Sequence, residues 1–134
     1  MAGSKSDYFE NALLDYVFRG VSLGLGGSLY VALYTVAPTD STPGTEVTGG
    51  SYARVAVPRT TSDWAAPSGG VVHPASAVTF PQATAPWGTV VGVAILDAVS
   101  GGNQLYWADL TTPKAIDTGD TASFASGAIT VSES

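Results

Sequence analysis

Trp87-Gly-Thr-Val-Val-Gly-Val-Ala-Ile-Leu-Asp97, then Ser100-Gly-Gly-Asn103, then Gln104-Leu-Tyr-Trp-Ala-Asp-Leu110 decides the fold class. Thr89 to Leu96 is a β-branched and aliphatic run, interrupted by Gly92 alone and too short for a core helix, which reads as the strongest strand of the chain. The Gly-Gly turn supplies the positive φ that a tight hairpin needs, and Gln104 to Leu110 is the returning partner. Leu29-Tyr-Val-Ala-Leu-Tyr-Thr-Val36 repeats this character upstream. Around these lie weaker segments. Tyr52 to Val57 alternates and stops at Pro58. Val71 to Phe80 is broken by His73-Pro74, with its better half at Ser76 to Phe80. Thr121 to Phe124 and Ala128 to Val131 close the chain. Residues 37–50, 58–70 and 113–120 are rich in turn formers and read as loops. The expectation is one domain, mainly β: an antiparallel β-sandwich of about seven short strands over residues 28–132.

One segment breaks the pattern. In residues 6–19, Phe9, Ala12, Leu13, Tyr16 and Val17 fall at i, i+3, i+4, i+7 and i+8, the spacing of one helix face. Ser6 suits the N-cap. Asp7 and Glu10 favour the positive end of the macrodipole, and Arg19 and Gly20 suit the other end. Leu14 and Phe18 widen the apolar surface beyond a single stripe. They make this N-terminal α-helix a candidate for contact with a partner as well as with its own sheet. Gly24-Leu-Gly-Gly27 follows the helix and precedes a strand. That is the reverse of a phosphate cradle, so it reads as a hinge.

Composition narrows the function. The chain has 134 residues, 5 Lys+Arg against 11 Asp+Glu, a net charge of −6 and no cysteine. So few basic residues make no phosphate-tracking surface, so no nucleic-acid partner is expected. No apolar run approaches ~18 residues, so no membrane partner is expected. The lack of cysteine removes disulfides, thiolate metal sites and Cys nucleophiles. Charged residues are only 12% of the chain, about half the usual share. A surface of Ala, Thr, Ser and Gly suits a subunit of a larger assembly, because few long charged side chains must be desolvated or immobilised at a contact.

No constellation supports catalysis. His73 stands alone, with no Gly-x-Ser-x-Gly nucleophile motif. Of Asp97, Asp109, Asp117 and Asp120, three sit at strand ends or turns, where Asp bonds its own backbone. Asp117-Thr-Gly-Asp120 lacks the alternating ligands of a calcium loop. The expectation is no enzyme, no cofactor and no metal. Tyr30, Tyr34, Phe80, Tyr106 and Phe124 read as core or half-core, and Trp87 as a plug at the end of the sandwich. Tyr52, beside Gly49-Gly50, and Trp64, in a loop, remain open to either role: packing, or contact with a protein or a sugar. The interface candidates are thus Leu14, Phe18, Tyr52 and Trp64.

Further stretches carry a resemblance. They are Leu29-Tyr-Val-Ala-Leu-Tyr-Thr-Val-Ala-Pro-Thr-Asp40, Gly44-Thr-Glu-Val-Thr-Gly-Gly-Ser-Tyr-Ala-Arg54, Val78-Thr-Phe-Pro-Gln-Ala-Thr-Ala-Pro-Trp-Gly-Thr-Val-Val91, Gly101-Gly-Asn-Gln-Leu-Tyr-Trp-Ala-Asp109 and Ile116-Asp-Thr-Gly-Asp-Thr-Ala-Ser-Phe124. Together they resemble a family of small virion structural proteins of tailed bacteriophages, commonly called tail fibre proteins and overlapping with capsid cement or decoration proteins. The resemblance covers most of the chain and brings no catalytic residues. It implies a protein of the virion, assembled in the host bacterial cytoplasm. Foremost among its roles is a cement protein on the major capsid protein. The alternative is a tail-fibre or tail-adaptor component on tail proteins, with carbohydrate binding in host recognition. Analogy with decoration proteins implies self-association as a homotrimer.

Overall fold

The structure, a computed structural model, describes residues 4–133. In chain order the elements are β1 (Ser4–Lys5), α1 (Asp7–Arg19), β2 (Ser28–Val36), β3 (Thr45–Glu46), β4 (Val55–Pro58), β5 (Val71–Val72), β6 (Val78–Thr79), β7 (Gly88–Leu96), β8 (Gln104–Ile116), β9 (Ser123–Phe124) and β10 (Val131–Ser132). The class is mainly β and antiparallel, with one helix, as expected. The strand count is ten among the described residues, not about seven, because six of the strands are only two residues long, too short to carry an apolar period.

β7 and β8 form the expected hairpin, and β2 lies on the other side of β7. β1 adds to the outer edge of β8 through Ser4 opposite Trp107. The outer edge of β2 is shared: β4 pairs with its first half and β3 with its second. In the middle of β2 the apolar run is buried on both faces, Val31 and Leu33 on one, Ala32 and Tyr34 on the other.

Each face has its own cover. On the Val31/Leu33 face, two ribbons form the second layer: β5 with β10, and β6 with β9. Val78, Phe80 and Ile129 pack there against Val31, Leu33, Val93 and Ala108. On the opposite face lies a smaller cluster of Ala32, Tyr34, Ala94, Leu96 and Trp107. The turn-rich segment after β2 crosses it. Pro38 is fully buried, the Trp107 Nε1–H donates to Asp40 Oδ1 (2.7 Å), and Gln104 Nε2 donates to the Thr39 carbonyl (3.0 Å). Gly92 permits this crossing, because a Cβ there would lie 3.1 Å from the Ala37 methyl carbon.

Several boundaries depart from the sequence reading. β8 does not end at Leu110; it continues through Pro113 to Ile116. Gly92 pairs with Asp109 but Val90 pairs with Lys114, so residues 110–113 bulge opposite Val91. A proline within such a bulge removes no ladder hydrogen bond. Tyr52 precedes its strand, which starts at Val55, and its N–H closes a turn on the Gly49 carbonyl (3.0 Å). The break at His73-Pro74 sends Val71–Val72 and Val78–Thr79 into different ribbons.

Candidate interaction surface

The N-terminal half of α1 is fixed to the sheet. Ser6 N–H donates to the Leu105 carbonyl (2.9 Å), and its hydroxyl caps the helix by accepting from Phe9 N–H (3.2 Å). Asp7 N–H donates to the Asp40 carbonyl (2.9 Å). The Phe9 ring, 6% exposed, meets Tyr106 edge-on at 5.2 Å. Beyond this anchor the helix leaves the domain. Ala12 and Leu13 are half-buried, and Tyr16 and Val17, which continue the same stripe, are exposed. Leu14 is 57% exposed and Phe18 79%. The helix holds its form to the end, with an Arg19–Asp15 pair at 2.7 Å and a left-handed Gly20 cap. Two of the four interface candidates, Leu14 and Phe18, therefore stand on one bare helix end. Tyr16, Val17 and Val21 join them there. The sequence signal for Tyr16 and Val17 was the stripe itself, read without knowing how far the sheet would extend beneath it; Val21 lies beyond the helix and outside that stripe.

Tyr52 lies elsewhere, in the main core. Its ring stacks on Phe80 (6.2 Å between centroids, 12° between planes) and meets Trp87 edge-on at 5.3 Å. Its hydroxyl donates to Glu46 Oε2 (2.6 Å) and accepts from Leu33 N–H (3.0 Å). Glu46 also takes a bidentate pair from Arg54 (2.9 and 2.8 Å), and Arg54 reaches the Ala98 and Gly101 carbonyls at 2.7 and 2.9 Å. Burial opposes ionisation of Glu46, but the hydrogen bonds from Arg54 and Tyr52 outweigh it and hold the carboxyl below its usual range. Burial, then the Glu46 charge, pushes the Tyr34 hydroxyl up to about 12. Sequence reasoning missed this cluster; a lone Arg and Glu in apolar surroundings were its only signal. Trp87 is the expected plug, buried, with its Nε1–H on the Gly50 carbonyl at 2.9 Å.

Trp64 is half-buried and lines an open, mostly apolar groove of about 580 Å³. Its Nε1 is buried without a hydrogen-bond partner. The groove runs between the Trp64 segment, Val72 and Val131 on one side and Ile95 and Tyr106 on the other, with Phe9 also in its lining. Among the described residues Arg59 is the one charged residue of its lining, and that guanidinium also donates to the Gly26 carbonyl (2.6 Å) in the segment after α1. The structure thus separates the four candidates: a helix end, a core aromatic and a groove wall.

His73, Asp97 and Asp120 make local contacts. His73 Nδ1 donates to the Pro74 carbonyl at 2.8 Å. Asp97 accepts from Asn103 N–H and Nδ2 across the hairpin (2.7 and 3.0 Å), and Asp120 accepts from Asp117 N–H (2.8 Å). Among the described residues no group of three or more His, Cys, Asp or Glu is placed to hold a metal ion.

The family described as podophage GP4 fiber I protein gp80 matches residues 4–132, from β1 through β10. No curated protein matches the chain. The matched span includes α1, the groove and both layers of the fold, and it agrees with the virion resemblance carried by the loops and strands. The chain belongs to the podophage GP4 fiber I protein gp80 family, a family of phage virion structural proteins.

Proposed function

We propose that this protein is a non-catalytic building block of a tailed-phage fibre, joined to its neighbours through the exposed end of α1. The observation that carries the reading is that helix end: a capped, salt-bridged helix with Leu14, Tyr16, Val17 and Phe18 all in solvent. Apolar side chains clustered in this way on a folded domain mark a contact site. The family's description supports the fibre reading over the shell. No separate observation favours the capsid-cement role, which the low charge and β fold fit equally. The absence of catalysis is supported by the commitment of His73, Asp97 and Asp120 to nearby backbone and turn partners. The partners are then other virion proteins and further copies of the chain, a homotrimer among the closed forms. Averaged cryo-electron microscopy of the purified virion tests the placement: density for this fold in the fibre is expected. Density spread over the shell would make it a cement protein, and absence from the particle would overturn the virion role.

A further inference from the structure

We draw no further inference here: the strongest candidate, the open apolar groove beside Trp64 between the β5–β10 ribbon and the sheet, carries none, because nothing in the structure shows what covers it.

Discussion

The Arg54–Glu46 pair ties together three pieces of chain: β3 through Glu46 itself, the β7–β8 turn through the Ala98 and Gly101 carbonyls, and β2 through Tyr52, whose hydroxyl joins Glu46 to the Leu33 amide. The Arg54 side chain is 8% exposed, so its charge depends on Glu46. Glu46→Gln should therefore lower stability by about 2 kcal/mol in urea denaturation, part of it the cost of an uncompensated guanidinium. The pH dependence has a definite sign. The folded pKa of Glu46 lies below its ordinary 4.5, so its contribution is complete above that value and disappears as pH falls through the folded one. Wild-type stability should drop in that acid window, and the Gln variant should drop less. Gly50 sets a second test. At φ +57° any added Cβ would sit 2.8 Å from both the Ala85 carbonyl oxygen and Trp87 Nε1. Gly50→Ala should cost about 2–3 kcal/mol in thermal denaturation, with the Trp87 hydrogen bond as a casualty.

α1 shows at the element scale how a helix can be half foundation and half projection. Phe9→Ala should cost about 3 kcal/mol, because a ring buried against Tyr106 leaves a void. Phe18→Ala should change monomer stability by no more than about 0.5 kcal/mol in the same urea titration, because nothing of its own domain covers that ring. The helix boundaries were legible because caps are local: Ser6 and Gly20 act within one turn of their own position. The buried face was not, since Phe9, Tyr16 and Val17 obey one period and only the reach of β8 divides them. The same contrast holds for strands. β2, β7 and the start of β8 carry their own apolar runs and were read directly. β3 and β1 are two residues long and exist only because β2 and β8 offer an edge. Pro113 read as a stop because a one-dimensional pattern does not show that its stretch bulges away from β7.

Distant pairing dominates the whole molecule. Ser4 lies opposite Trp107, Tyr30 opposite Leu96, and Val72 opposite Val131. Such loops must close before most contacts form, so refolding followed by stopped-flow fluorescence of the three tryptophans should take milliseconds to seconds rather than microseconds. The mainly β class was readable from the long runs. The division of the second layer into two ribbons was not, because it turns on which distant two-residue segment each half of Val71 to Phe80 chooses. That topology also brings the first and last described strands together. Lys5 Nζ meets Glu133 Oε2 at 2.9 Å, and Tyr106 donates to the other oxygen of the same carboxylate at 2.7 Å. Tension applied between those two strands would thus open a short clasp at one margin and leave β2 and β7 unloaded.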